Sequence, residues 1–243
     1  MTCANLLCGC YACILALCGN CAGAMFAIFA AAGFDFVDGL AARALNVCSP
    51  TGKDLDSLSD MVSFGVAPGM MLFNFLDRMQ REVAWSSPAC GKAFLAVAFA
   101  IPVFSALRLA RFNNDTRQRE SFIGLPVPAH AIFWASLLYE LATPVSHTLF
   151  QGFLSLDAPS FLLRIPPVTA LALLVAMAAG SSLLLVSNIP MFSFKVKSFR
   201  WTENRKRYAF LLAAVGLLIC CGIGGLCMSV ALYVLLAVYN RRR

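Results

Sequence analysis

Five of the twelve acidic residues of this strongly apolar chain lie within one short segment. The segment runs from residue 35 to residue 60, and its carboxylates are Asp35, Asp38, Asp54, Asp56 and Asp60. Asp35 and Asp38 are three positions apart and Asp56 and Asp60 are four apart, so each pair can share one face of a helix. Grouped carboxylates suit hard divalent cations such as Mg²⁺, Mn²⁺ or Ca²⁺. Two such ions held close together can clamp a phosphoryl group during a displacement reaction.

The alternative is that these carboxylates are solvated residues at helix ends, where acidic side chains favour the N-terminus. That explanation suits Asp54 and Asp56. It does not explain Asp35, which lies inside the apolar run AMFAIFAAAGFDFVDG, because an ionisable group within a membrane segment is costly and usually functional. Divalent cations would also relieve the repulsion between neighbouring carboxylates. We therefore predict a metal site.

Small and basic residues near the carboxylates add the features of a diphosphate site. Gly39 and Ala42 lie on or beside the carboxylate face, where they allow a bulky ligand to approach the backbone. Arg43 presents a planar fork of donors that suits phosphate oxygens. Ser49 and Gly52 lie in the following turn and can add loop contacts. Together these residues predict a diphosphate-binding site at the membrane surface.

The composition predicts that membrane helices position this site. The 243 residues are 60% hydrophobic and only 13% charged, with a mean hydropathy of +0.78, which is typical of an integral membrane protein. The apolar runs are longer than the roughly ten-residue strands of membrane barrels, so we expect an all-α protein. We predict one domain, residues 1–243, forming a polytopic bundle of about eight transmembrane helices, or six or seven if the short terminal runs do not each cross. The predicted spans are 3–18, 21–45, 55–76, 91–112, 130–149, 166–187, 207–221 and 224–240, with a tight reversal at GIGG, residues 222–225.

The basic residues predict the orientation of this bundle. Eight spans place both termini on one side, which then holds 15 of the 19 Lys and Arg residues, so this side is predicted to face the cytoplasm. The acidic segment falls on the same side. Because the basic residues form short groups between apolar runs, they indicate topology, and no nucleic-acid partner is expected. A cation transporter is a remote alternative, since the carboxylates stop near one face of the membrane.

The same segment carries eight fixed positions by which the chain resembles the CDP-alcohol phosphotransferase family: Asp35, Asp38, Gly39, Ala42, Arg43, Gly52, Asp56 and Asp60. The segments LDSLSDMVSFGVAPG, LRLARFN, FIGLPVPA and NIPMFSFKVK resemble, within that family, the bacterial-type phosphatidylserine synthases. The resemblance implies transfer of the phosphatidyl group from CDP-diacylglycerol to the hydroxyl of L-serine, with release of CMP. The alternative acceptors for the same chemistry are glycerol 3-phosphate and an inositol phosphate.

The resemblance also implies roles for individual residues. Asp35, Asp38 and Asp56 would bind divalent metal, Mg²⁺ or Mn²⁺ and two ions in all. Asp60 would contribute to the second metal and act as the general base. The CDP-diacylglycerol contacts would come from residues that follow the first two carboxylates: Gly39, Ala42, Arg43, Ser49 and Gly52.

The acceptor serine carries a carboxylate and an ammonium group, and the enzyme must recognise both. Arg108 and Arg111 are the candidates for the serine carboxylate, and Asn113 is a candidate to complete the pocket. The resemblance further implies a homodimer in a bacterial inner membrane.

Overall fold

Helices make up nearly all of the described chain. The computed structural model describes residues 1–45, 49–81, 92, 94–114, 122–143, 166–191 and 201–241. The α-helices are α1 (Thr2–Leu17), α2 (Cys21–Leu45), α3 (Pro50–Asp60), α4 (Ala67–Arg81), α5 (Ala100–Asn114), α6 (Val127–Ala142), α7 (Pro167–Val186), α8 (Trp201–Cys221) and α9 (Gly224–Arg241). A π-helical segment, Met61–Val66, joins α3 to α4, and a 3₁₀ turn, Val97–Phe99, precedes α5. The predicted all-α membrane fold is confirmed.

The predicted spans coincide with described helical segments, although several boundaries differ, and residues 91 and 93 of the span predicted at 91–112 lie outside the described chain. The span predicted at 55–76 is part of a helical run that extends from 50 to 81. The span predicted at 130–149 begins earlier, at residue 127, and residues 144–149 lie outside the described chain. Three of the described helices are long and apolar enough to cross a membrane, and three are apolar but shorter. The first three are Cys21–Leu45, Phe94–Asn114 and Val168–Val186, and the shorter ones are Thr2–Leu17, Tyr208–Cys221 and Gly224–Tyr239.

Helices α1 and α2 fold back on one another, and α4 holds their connection in place. Gly19 adopts a positive φ of 75° in this turn, a conformation that glycine tolerates without steric cost. The Asn74 side chain of α4 donates from Nδ2 to the main-chain oxygen of Leu17 at 3.1 Å. This bond fixes the C-terminal end of α1 against α4.

The other half of α1 packs closely against the π-helical segment. An added Cβ at Gly9 would lie only 2.3 Å from Ser63 Oγ and 2.8 Å from Ser63 Cα. The absence of a side chain at Gly9 therefore lets the two backbones approach. Ser63 Oγ also donates to the main-chain oxygen of Asn5 at 3.0 Å. These contacts bring the beginning of α1 next to the carboxylates of α3.

Contacts distant in sequence join the later helices. Phe122–Ile123 and Pro190–Met191 form a two-residue antiparallel strand pair that the sequence did not predict. The reversal predicted at GIGG is confirmed, since Gly222 has a φ of 59° and α9 begins at Gly224. The buried Glu140 of α6 accepts a hydrogen bond from Gly224 N at 2.7 Å. A carboxylate thus satisfies a free N–H group at the start of α9.

Candidate active site

Three carboxylates from two neighbouring helices meet at one end of the bundle. Asp35 of α2 and Asp56 and Asp60 of α3 each offer an oxygen within 4.8 Å of the others, and all three are partly buried. Within the part of the chain that the structure describes, this is the only such group of His, Cys, Asp or Glu side chains. Because every donor is a carboxylate oxygen, the group fits a hard divalent cation.

The start of α3 sets the direction of its two carboxylates. Ser49 has an extended backbone, and its Oγ accepts a hydrogen bond from Gly52 N at 3.0 Å. Ser49 is therefore a helix N-cap. Asp56 and Asp60 follow four residues apart in the same helix, and their carboxylates point toward that of Asp35 in α2. The structure thus gives Ser49 and Gly52 a local role in starting α3.

Asp38 lies beside this group and is held by α1. It is not one of the three carboxylates within 4.8 Å of one another. Its Oδ2 accepts a hydrogen bond from Thr2 Oγ1. It is nevertheless close enough to Asp35 and Asp56 for their charges to repel one another. Asp38 therefore contributes negative charge to the same end of the bundle.

The beginning of α1 contacts the carboxylates through uncharged polar groups. Asn5 is completely buried, and its Nδ2 donates to Asp60 Oδ1 at 3.1 Å. Ser59 is also completely buried, and its Oγ donates to the main-chain oxygen of Thr2 at 3.3 Å. Sequence reasoning missed Thr2 and Asn5. The available signal was a polar amide within an apolar helix, since such residues are rare and often functional.

Arg108 of α5 is a basic residue whose charge acts on the general-base candidate, Asp60. It is 7% exposed, and its guanidinium carbon lies 5.6 Å from the centroid of the Phe112 ring. Its positive charge is near enough to Asp60 to attract that carboxylate. Its Nε is buried without a hydrogen-bond partner. A buried guanidinium donor beside the carboxylates is well suited to bind an anionic ligand group.

The other two serine candidates lie near the end of α5 and are engaged with the protein. Arg111 is exposed, and its Nη1 donates to the main-chain oxygen of Val186 at 3.2 Å. Asn113 Nδ2 donates to Ser57 Oγ at 2.8 Å, and the main-chain oxygen of Asn113 accepts from Lys53 Nζ at 3.2 Å. These contacts connect α5 with α7 and α3.

The face of α2 beyond the carboxylates is open. An added Cβ at Gly39 would meet no atom nearer than Arg43 Nη2, at 3.9 Å. Arg43 is exposed, and its Nε donates to the main-chain oxygen of Gly39 at 2.8 Å. Ala42 is partly buried. The structure therefore leaves room over Gly39 and places a guanidinium at its border.

A helical membrane protein with clustered carboxylates at one end, beside an arginine and an open glycine face, has the parts of a metal-dependent phosphotransferase. The family model described as CDP-alcohol phosphatidyltransferase matches residues 1–238, and the chain belongs to this family. It is therefore an integral membrane enzyme of phospholipid biosynthesis, as the sequence predicted.

Several relatives carry the name CDP-diacylglycerol–serine O-phosphatidyltransferase. The protein of that name from Bacillus subtilis (strain 168) is 35% identical over 128 residues, which are 53% of this chain and 67% of that protein. The one from Helicobacter pylori (strain J99) is 35% identical over 129 residues, 50% of each chain. The one from Mycobacterium bovis is 31% identical over 224 residues, 89% of this chain and 65% of that protein. The matches thus span from half to two thirds of these relatives.

Proposed function

We propose that this enzyme transfers the phosphatidyl group of CDP-diacylglycerol to the hydroxyl of L-serine, giving phosphatidylserine and CMP. The observation that carries the proposal is the meeting of Asp35, Asp56 and Asp60 within 4.8 Å, at positions of the family signature. The names of the three relatives support serine as the acceptor.

Two divalent ions, Mg²⁺ or Mn²⁺, are proposed to bind to Asp35, Asp38, Asp56 and Asp60. The all-oxygen donor set fits these ions. When bound, they would neutralise the diphosphate and the charge that develops on the leaving CMP. Asp38 would exchange its hydrogen bond with Thr2 for a metal or water contact.

The chain's own residues would position the donor and activate the acceptor. Arg43 would leave the Gly39 carbonyl and contact the diphosphate with its fork of N–H groups. Ala42 and the Ser49–Gly52 turn would border the CDP moiety. Asp60 would take the proton of the serine hydroxyl as the serine oxygen attacks the lipid-side phosphorus. The new phosphorus–oxygen bond forms as the bond to the CMP phosphate oxygen breaks, and CMP leaves with that electron pair.

Arg108 is proposed to bind the serine carboxylate. It is buried beside Asp60, so a serine held there would present its hydroxyl near the base. Arg111 and Asn113 already bond with α7 and α3, respectively, and they would shape the outer part of the pocket. We expect Arg108→Leu to raise the KM for serine far more than Arg111→Leu does.

The location and assembly of the enzyme are part of the proposal. The surplus of basic residues on one side supports an active site that faces the cytoplasm, and the family resemblance supports a bacterial inner membrane. The acyl chains of the donor would then stay in the bilayer while its CDP group enters the site. A homodimer is proposed from the family resemblance, and mass measurement of the detergent-solubilised enzyme tests it.

The proposal is tested by turnover with competing acceptors. Purified enzyme receives CDP-diacylglycerol and labelled L-serine, with glycerol 3-phosphate or an inositol phosphate in competition, and CMP and labelled lipid are measured. We expect labelled phosphatidylserine, no turnover in EDTA, and loss of turnover in Asp60→Asn with the first Mn²⁺ still bound. The exposed Asp54→Asn is the matched control and should retain turnover. Preference for another acceptor, or CMP release in EDTA, would refute the proposal.

A further inference from the structure

Asn5 of α1 makes a buried hydrogen bond to Asp60, the proposed general base. The side chain is completely buried, and its Nδ2 lies 3.1 Å from Asp60 Oδ1. Its own Oδ1 is buried without a hydrogen-bond partner. An amide donor on a carboxylate is favourable, but a buried acceptor without a partner lowers stability. Because the amide is the donor to Asp60 Oδ1, the position of the Asn5 side chain and that of the Asp60 carboxylate depend on one another.

The bond restricts the rotation of the Asp60 carboxylate, which must present one oxygen to the hydroxyl of the acceptor. A carboxylate has two oxygens, and free rotation would let either one face the substrate. The Asn5 amide takes up one lone pair of Oδ1 and fixes the rotation of the carboxylate, which leaves Oδ2 as the less engaged oxygen to receive a proton. Partners that orient a metal-binding side chain commonly affect metal affinity or activity tenfold to about a hundredfold.

The backbone around Asn5 is itself fixed. The main-chain oxygen of Asn5 accepts from Ser63 Oγ at 3.0 Å. One turn further along α1, Gly9 packs so closely on Ser63 that a side chain would not fit. The amide therefore approaches Asp60 from a rigid support rather than from a freely moving helix end.

We propose that Asn5 is a positioning residue that fixes the Asp60 carboxylate so that one chosen oxygen accepts the proton of the acceptor alcohol. The inference rests on the proposed function, which assigns Asp60 as the base. Asn5 acts through Asp60 and touches neither the donor nor the leaving group.

The test compares three variants with the wild-type enzyme. Asn5→Leu keeps the approximate size of the side chain and removes the donor, whereas Asn5→Ala removes both, so a folding failure of one leaves the other to measure. Asn74→Ala is the matched control. Its Nδ2 also donates at 3.1 Å, to Leu17 O at the opposite end of α1, and its Oδ1 is likewise buried without a partner.

We expect both Asn5 variants to lower kcat by about tenfold to a hundredfold at saturating Mn²⁺. The KM for CDP-diacylglycerol and the affinity for the first Mn²⁺, measured by electron paramagnetic resonance without substrate, should stay within about threefold of wild type. Asn5 hydrogen-bonds to Asp60 and to none of the three carboxylates assigned to that first ion. Asn74→Ala should keep the wild-type kcat even if its melting temperature falls as far as those of the Asn5 variants.

Three results would overturn the inference. The first is a wild-type kcat in Asn5→Leu, and the second is an equal loss of kcat in Asn74→Ala. The third is a loss of activity that added Mn²⁺ restores, because this would make Asn5 a support of the metal site only. In each case the wild-type enzyme still forms phosphatidylserine, so the proposed function survives. An inactive wild-type enzyme would instead remove both.

Discussion

Replacement of Asp35 by asparagine should stabilise the metal-free enzyme while weakening its response to metal. The three clustered carboxylates lie within 4.8 Å of one another, and at that separation two unit charges repel by about 0.9 kcal/mol in bulk water and about 3.5 kcal/mol at an effective dielectric constant of 20. Asp35 faces two such partners at alkaline pH, where all three carboxylates are ionised. Its neutralisation therefore removes between about 2 and 7 kcal/mol of repulsion. The site is only partly buried, so solvent screening favours the lower end of this range.

Compared with the wild-type enzyme, Asp35→Asn should melt at a higher temperature in EDTA and should be stabilised less by Mn²⁺. For a chain of this size, about 2 kcal/mol corresponds to a rise of about 4 to 8 °C in the melting temperature in EDTA. Mn²⁺ should stabilise the wild-type enzyme strongly, because it binds the folded state. The same concentration should stabilise Asp35→Asn much less, since one charged ligand is missing. A variant that merely damaged the fold would not show a higher melting temperature in EDTA.

Thermal unfolding of the detergent-solubilised enzyme, followed by tryptophan fluorescence, measures both shifts. Asp54→Asn makes the same chemical change in α3 at an exposed position outside the cluster, and it should change neither the melting temperature in EDTA nor the effect of Mn²⁺. The reasoning fails if Asp35→Asn melts at or below the wild-type temperature in EDTA. It also fails if Mn²⁺ raises the melting temperature of the variant as much as that of the wild type.

Three further substitutions test separate contacts. Gly9→Ala should lower the free energy of unfolding by about 1 to 3 kcal/mol, because its Cβ would lie 2.3 Å from Ser63 Oγ. The melting temperature and CMP release should both fall. An unchanged melting temperature would contradict this contact. Arg108→Lys should raise the KM for serine by about tenfold in steady-state assays, since lysine cannot bind a carboxylate through two parallel N–H groups. An unchanged KM would remove Arg108 from the serine pocket. Glu140→Gln should lower the melting temperature by weakening the 2.7 Å bond to Gly224 N, at a cost of about 1 kcal/mol, while turnover per folded molecule stays constant. A fall in turnover without a fall in melting temperature would show that Glu140 is more than structural.

Local spacing was enough to predict where the carboxylates meet. Asp35 interrupts an apolar run, and Asp56 and Asp60 follow a Ser-Pro helix start, so both faces are set within single helices. The partners of these carboxylates depend on a third helix. The hydrogen bonds from Thr2 and Asn5 require one particular position of α1 along the axes of α2 and α3. The hydrophobic periodicity of α1 does not determine that position.

The same reason explains the different surroundings of Arg108 and Arg111. They are three residues apart in α5 and were equivalent candidates by sequence. In the structure Arg108 is buried near Asp60, whereas Arg111 is exposed and bonds with the main chain of Val186. Residues three apart lie on nearly the same face of a helix but almost one turn apart along its axis. Their environments separate where the helix leaves the bundle, and that position follows from packing.

The π-helical segment directly after Asp60 connects the chemistry of α3 with the packing of α4. In an uninterrupted α-helix, the face that carries Asp56 and Asp60 would continue through Phe64 and place an aromatic ring in line with the carboxylates. The wider π turns of Met61–Val66 change the rotation per residue, and Phe64 is completely buried in the apolar core. The carboxylates thereby face α2 while the next turns face the core. Because a hydrophobic pattern of period 3.6 does not reveal such a change of rotation, the sequence predicts the pair of acids but not the backbone irregularity that separates them from the core.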